Sequence, residues 1–534
     1  MEIWFIIVVT LCVAALIRSI SDVFISSNPV SSKKKTKKLP PGPPSIPIIG
    51  TFLLLRKSFQ LEPIIKNLKL KYGPLLALRF GSSLSIFIAD RSLAHQALIE
   101  KGAIFSDRPD IFPIPRLFSS NQKNINSSSY GPTWRLLRRN LTSEILNPSR
   151  VKSYTHARKW VLTNLLIHLN RHSSDDLVVP VIKDLQYAMF CLLVLMCFGD
   201  KLEEEKIKEI EEVERELIMN FTKFNVINFF PKLGSIIFHK RWQQLTQIRQ
   251  RQEDVIIPLI KARREFIQSK KQKQSTKSEA EAEAETVAYI DTLIDLELLE
   301  DEKRRLNDSE IVALCNEFLN AGTDTASTAL QWIMANLVKY PTIQTKLYDE
   351  ISGIMGPPEF NSFEREINEK DLQGMSYLKA VVLEGLRLHP PGHFVLPHKV
   401  TEDVELNGYL VPKEARVNFM VAEIGRDPAV WEQPMEFKPE RFIIDNGGKG
   451  YELVDTDITG SKEIKMMPFG VGRRMCPGMG LALLHMEYFL ANLVWNFEWI
   501  AIEGDEVDMS EKQEFTVIME KPLQTKLKPR SAPK

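Results

Sequence analysis

Residues 309 to 340 repeat apolar side chains every three to four positions, the pattern of one long helix. Asn307 is placed to cap its start, with Glu310 at the third position to bond back, and Pro341 stops it because proline lacks the donor that the next turn needs. About thirty residues at 1.5 Å each make a rod of roughly 45 Å, enough to cross an entire domain. Its middle reads "AGTDT", Ala321 to Thr325, where a glycine and two threonines weaken a helix instead of supporting it. Two readings stay open. A small residue there lets something flat approach the backbone while a hydroxyl beside a carboxylate passes a proton, or Gly322 is a packing glycine and Thr325 merely bonds back to its own helix.

Further helical periodicity covers Asp184 to Phe198, Glu203 to Phe221 and Lys240 to Ile267, whereas β-type runs such as "GPLLALRFGSSLSIFIAD" are short and few. The fold class expected is therefore mainly α with small β-sheets. The charged stretch Ser269 to Glu285, without large apolar residues, is expected to be a solvated loop. At 534 residues the chain is either two domains or one large fold of the kind that wraps a cofactor. Its 69 basic and 68 acidic residues argue against a nucleic-acid binder, which needs a basic excess on one face.

The N-terminus runs fifteen residues without a charge, Ile3 to Ile17, and reaches Ile25 if Arg18 snorkels. Glu2 stands where a signal peptide carries basic residues and no small-residue cleavage site follows, so residues 1–25 are expected to be an uncleaved membrane anchor, a signal peptide or a purely interfacial helix being the competing readings. The block "KKKTKK", Lys33 to Lys38, belongs on the cytoplasmic side. The following "LPPGPPSIPIIG" is expected to be a stiff arm, rather than a proline-rich ligand for a partner module. Residues 26–50 are thus expected to be a stop-transfer block and hinge, with the folded domain spanning 51–534.

Five cysteines at irregular spacing, without a CxxC pair, support neither a disulfide framework nor a zinc ribbon. Cys191, Cys197 and Cys315 lie in apolar surroundings and Cys12 in the apolar N-terminus, but Cys476 sits in "PFGVGRRMCPG" among glycines and arginines. Upstream, Glu384 and Arg387 are three apart on one helix face, and Arg441 of "FKPERF" is placed to complete a three-member network with them.

These pieces together closely resemble the cytochrome P450 family. Its Ala/Gly-Gly-x-Asp/Glu-Thr motif matches Ala321 to Thr325, its Glu-x-x-Arg motif Glu384 to Arg387, and its Pro-Glu-Arg-Phe motif Pro439 to Phe442. The cysteine signature is met at Phe469, Gly472, Arg474, Cys476 and Gly478, and a Trp-x-x-x-Arg falls at Trp134 and Arg138. The anchor and proline hinge fit the microsomal class, and "SSNQKNI", "YGPTWRLLRRNLTSEIL" and "LQWIMANLVK" are similar to one subfamily of the plant A-type group.

The resemblance implies haem b (iron protoporphyrin IX) with Cys476 as proximal thiolate, its charge tuned by backbone N–H groups that glycines allow to turn inward. It assigns Arg474, Trp134, Arg138 and His398 to the haem propionates. Gly322 would make room for O2 and substrate, and Asp324 and Thr325 would manage the protons of O–O cleavage. Ala326 stands where the family usually has a second hydroxyl.

Because "GVGRRM" fails the dinucleotide fingerprint, electrons are expected from a separate NADPH-cytochrome P450 reductase docking near Arg135 and Arg139. The implied protein is a single-pass endoplasmic reticulum membrane enzyme, its catalytic domain facing the cytoplasm among membrane lipid. It would oxygenate an apolar or aromatic metabolite; Phe112, Phe224, Phe229, Phe318 and Phe394 fall at positions that contact substrate in the family. A reductase-independent haem-thiolate isomerase or dehydratase and a non-catalytic haem sensor are the alternatives.

Overall fold

The computed structural model describes residues 38–43, 61–80, 83–174, 178–199, 202–219, 224, 227, 234–274, 287–298, 303–356, 366–447, 450–504 and 506–530. The expected membrane anchor, the basic block up to Lys37 and Phe229 lie outside them. These residues form two compact units, one made of those described up to Pro109 with His393–Val430 and Asp457–Met475, the other of those described from Asp110 to Gly392, from Trp431 to Thr456 and from Cys476 on.

The first unit is built on a four-stranded sheet. Helix α1 (Leu61–Tyr72) leads into β1 (Leu75–Phe80) and β2 (Ser83–Ile88), which pair antiparallel with Leu75 opposite Ile88. The later strands β3 (His398–Lys399) and β4 (Arg416–Phe419) complete it in the order β1-β2-β4-β3, β4 lying parallel to β2. Alternation puts Ile86, Ile88, Val417 and Phe419 on one buried face with Phe105, Val400 and Met467. The described part of the proline segment is not a free arm. Pro41 O accepts from Ala77 N–H and Lys38 O from Leu410 N–H, both at 2.9 Å, so the prolines lie along an existing strand.

The second unit is helical and centres on one rod. Helices α2 (Pro132–Asn140), α3 (Val181–Phe198), α4 (Glu204–Met219) and α5 (His239–Gln274) precede the 32-residue α6 (Asp308–Lys339). Asn307 Oδ1 accepts from Glu310 N–H at 2.9 Å while the Glu310 carboxylate accepts from Asn307 N–H at 3.0 Å, and Pro341 opens the next helix. Nearly all of α6 is buried, and its capped start and proline stop are those expected from sequence. Helix α5 runs through Ser269 to Gln274, so the front of the charged stretch is helix instead of loop; residues 275–286 are outside the described set. Apolar α3, long enough to cross a membrane by composition, is a core helix packed along α6.

Helices α7 (Ser376–Leu388) and α8 (Met479–Asn496) also pack on α6. Strand β8 (Gln524–Pro529) pairs antiparallel with β5 (Phe497–Ile500) on one side and with Val179–Pro180 on the other, and β6 (Glu511–Gln513) with β7 (Val517–Met519) make a hairpin. Val517 ties that hairpin down: its carbonyl accepts from Trp332 Nε1 and its N–H donates to Pro391 O, both at 2.8 Å.

Candidate active site

The glycines before the cysteine answer a backbone demand. Gly472 has φ +78°, and a Cβ there would stand 2.4 Å from Leu98 O, so both conformation and space require glycine. Phe469 is half-buried just before it.

Cys476 is half-buried, and its sulfur accepts the Gly478 N–H and feels the Arg138 guanidinium. Burial pushes the thiol above its ordinary value, while that hydrogen bond and that cation pull it down. Burial, with the side chains around it, pushes the thiol of Cys191 up to about 12, and Cys197 is fully buried too, as expected of packing cysteines. Among the described cysteines Cys476 alone combines partial access, a backbone donor and an arginine.

Arg138 and Trp134 stand one turn apart on α2, which places them on one face. Trp134 is buried against Tyr130, ring centroids 5.1 Å apart, while Arg135 and Arg139 point to solvent, Arg135 lying over the Tyr130 ring.

In the first unit Arg474 Nε donates to Ser106 O at 2.8 Å. Nearby Arg108, which sequence reasoning missed, is nearly buried and donates through Nη1 to Leu396 O at 2.7 Å and Pro397 O at 3.0 Å. His398 departs from expectation. Its Nδ1 lies 2.5 Å from Phe105 O, a contact that requires the proton on Nδ1. Burial, then the charges of Arg108 and Arg474, push its pKa down to about 3. A neutral imidazole protonated on Nδ1 keeps only Nε2, an acceptor, for further contacts.

In mid-α6, Ala321 is exposed and Thr325 half-exposed, four residues apart on one face of an otherwise buried helix. The Thr325 hydroxyl donates to Ala321 O at 2.7 Å, leaving its oxygen lone pairs as acceptors. Asp324 points elsewhere and is nearly buried. Its Oδ1 accepts from Gln186 Nε2 of α3 at 3.0 Å and lies 3.5 Å from Arg215 Nη1 of α4. Burial raises its pKa, opposed by Arg215 and Gln186.

Gly322, half-exposed beside Ala321, also lets α3 approach closely, since a Cβ there would meet Leu193 Cδ1 at 2.7 Å. Ala326 is buried, and a hydroxyl there would face the core.

The Glu384 carboxylate is fully buried and gathers its partners closely. Arg387 donates through Nε at 2.6 Å and Nη2 at 2.8 Å, Arg441 Nε at 3.2 Å, and the Lys438 N–H at 2.8 Å. Arg387 also donates to Pro434 O and lies over Trp431. Four donors on one buried carboxylate offset much of the desolvation penalty that would otherwise make the pair unfavourable.

The aromatic residues expected around a substrate divide. Phe112 is exposed and Phe394 half-buried, but Phe224 is core beside Ile114 and Leu245, and Phe318 packs on Tyr289. Leu396 and Phe515, each half exposed, are the larger apolar side chains left open on these loops.

Comparison with known proteins places this geometry. The family model described as Cytochrome P450 matches residues 40–528. Cytochrome P450 89A9 of Arabidopsis thaliana is 48% identical over 505 residues, covering 93% of this chain and 94% of the relative. Isoflavone 2'-hydroxylase of Glycyrrhiza echinata is 30% identical and covers 95% of each. Among solved structures, a zebrafish cytochrome P450 with abiraterone superposes with a TM-score of 0.67 at 20% identity, covering 88% of this chain and 99% of that one, a likeness of fold. The residues present fit a haem b: in the second unit half-buried Cys476, with a backbone donor and Arg138 beside its sulfur, suits an iron-bound thiolate, and in the first unit half-buried Arg474 and buried Arg108 are cations suited to carboxylates.

Proposed function

The chain belongs to the cytochrome P450 family and is with it a haem b monooxygenase that uses O2, an organic substrate and a redox partner, and from that premise we propose which residues do the work. Cys476 would hold the haem iron through its thiolate. The observation that carries this is its sulfur accepting the Gly478 N–H beside Arg138, because both interactions favour the anion against burial. Arg138 and Trp134 on α2 would hold a propionate, and in the first unit Arg474 and Arg108 are the cations suited to one. The haem, when bound, supplies the activation of dioxygen, which no side chain can provide.

Thr325 accepts and orients a proton donor beside the substrate, its own proton being committed to Ala321 O. Asp324, whose pKa burial raises while Arg215 and Gln186 oppose the rise, exchanges protons with that hydroxyl's surroundings. Electrons come from NADPH through a separate reductase that docks on the exposed Arg135 and Arg139. The substrate is an apolar or aromatic plant metabolite. Supporting that reading are exposed Leu396 and Phe515 and relatives named for an isoflavone and for 5-epiaristolochene. Residues 1–25 anchor the chain in the endoplasmic reticulum membrane, the catalytic domain from residue 51 facing the cytoplasm.

The test is Cys476→Ala and Cys476→His. Both should abolish the red-shifted carbonyl band of the reduced haem enzyme while leaving the chain folded by circular dichroism, since that band requires a thiolate ligand. A retained band would remove Cys476 from the site. Oxygen consumption that depends on NADPH and reductase separates a monooxygenase from an isomerase or a sensor.

A further inference from the structure

The segment Ser119–Tyr130, between Phe118 and α2, is held unusually. Three successive non-glycine residues, Ser120, Asn121 and Gln122, have φ of +46°, +59° and +65°. L-residues avoid that conformation, and it persists only where the surroundings over-determine it. Part of the constraint is internal: Gln122 N–H donates to Ser119 Oγ at 3.0 Å, Gln122 Nε2 to Ser127 O at 2.9 Å, and Ser128 Oγ to Gln122 O at 2.6 Å. A loop stitched in this way moves as one piece.

Two contacts tie that piece to α6. Ser120 Oγ donates to Ser309 O at 2.8 Å. The Glu317 carboxylate accepts two adjacent backbone amides, Ile125 N–H on Oε2 at 2.8 Å and Asn126 N–H on Oε1 at 2.6 Å. The anchors stand eight residues apart on the helix, roughly 12 Å, so the loop cannot swing about either one alone. Glu317 shares its helix face with Ala321 and Thr325, four and eight residues on, which sets the loop backbone roughly 6 Å and 12 Å from them along the axis.

We propose that Glu317 is a positioning residue whose carboxylate pins the Ile125–Asn126 backbone to α6 and thereby sets how large a ligand reaches the Ala321–Thr325 face. The inference rests on the reading of that face as the substrate side. The chemistry needs glutamate: two donors call for two acceptor oxygens, glutamine offers one and turns an N–H₂ toward the other donor, and alanine offers none.

The holoenzyme tests it with two iron-binding azoles, imidazole as the small probe and clotrimazole as the bulky one, each titrated by the Soret shift. Hydrogen exchange is read at Ile125 and Asn126 in parallel. In Glu317→Ala those two amides should exchange about tenfold faster or more, the scale of a lost charge-assisted hydrogen bond. The ratio of clotrimazole to imidazole Kd should change by about tenfold while imidazole alone stays within about twofold. Glu317→Gln should fall between, and it decides the matter if the alanine variant does not retain haem. Unchanged exchange, or both azoles shifting by the same factor, would overturn the proposal. Absence of the carbonyl band in the unmutated protein would instead overturn the haem-thiolate reading beneath it.

Discussion

Asp324 and Thr325 are neighbours in the chain yet about 100° apart around the helix, and their surroundings differ accordingly. Thr325 faces the exposed side with its proton on Ala321 O, whereas Asp324 is buried among side chains of α3 and α4. Thr325→Ala therefore removes an acceptor without unbalancing the core. We expect a stability change of about 1 kcal/mol or less, with haem and substrate binding retained. Product formed per NADPH should fall far more than NADPH consumption, with peroxide as the other product; unchanged coupling would leave Thr325 a packing residue. Arg215→Leu probes the acid. Burial already raises Asp324, and Arg215 opposes it, so losing the arginine raises the carboxyl further. If the anion is needed, the acidic limb of the coupling-versus-pH profile should move to higher pH, and a profile that does not move excludes Asp324 from proton delivery.

The seam between α4, α5 and α6 carries a second buried acid. Glu214 of α4 is fully buried and accepts from Asn320 Nδ2 at 2.8 Å and Gln252 Nε2 at 3.3 Å. Burial pushes its pKa up to about 7, against the Asn320 hydrogen bond and the Arg249 charge. A folded value above the unfolded one means that the folded state holds the extra proton, so this contribution is full below the ordinary carboxyl value and is lost as pH rises through about 7. Between pH 5.5 and 8 the loss should be roughly 2 kcal/mol. Glu214→Gln keeps the shape without the charge, so its stability relative to the parent should rise by that amount over the same interval in denaturant titrations. A difference that does not vary with pH would mean that Glu214 titrates at its ordinary value.

For the whole molecule, the docked proline segment decides where the chain can be cut. Lys38 and Pro41 are paired to Leu410 and Ala77, so a truncation that removes residues 1–37 leaves those bonds in place. The shortened protein should retain its haem and leave membranes at high salt, where charge attraction is screened and only apolar anchoring survives. Haem loss, or membrane binding that persists at high salt, would contradict a separable anchor in residues 1–25.

Features governed by neighbours along the chain are legible in the sequence alone. The ends of α6 follow from a cap three residues from its partner and a proline that cannot continue a helix, and the β1–β2 pair follows from alternation. The glycine-rich approach to Cys476 is readable too, because a left-handed backbone selects glycine locally. Periodicity says which face of a helix is apolar but not which element will cover it. Hence only the tertiary structure put Leu193 against Gly322, paired Asp324 with Gln186 at 138 residues' separation, and sent Phe224 and Phe318 into the core. It likewise left His398 neutral beside two arginines and Glu317 under a distant loop. Burial and long-range charge set those outcomes, and both depend on which surfaces meet when the chain packs.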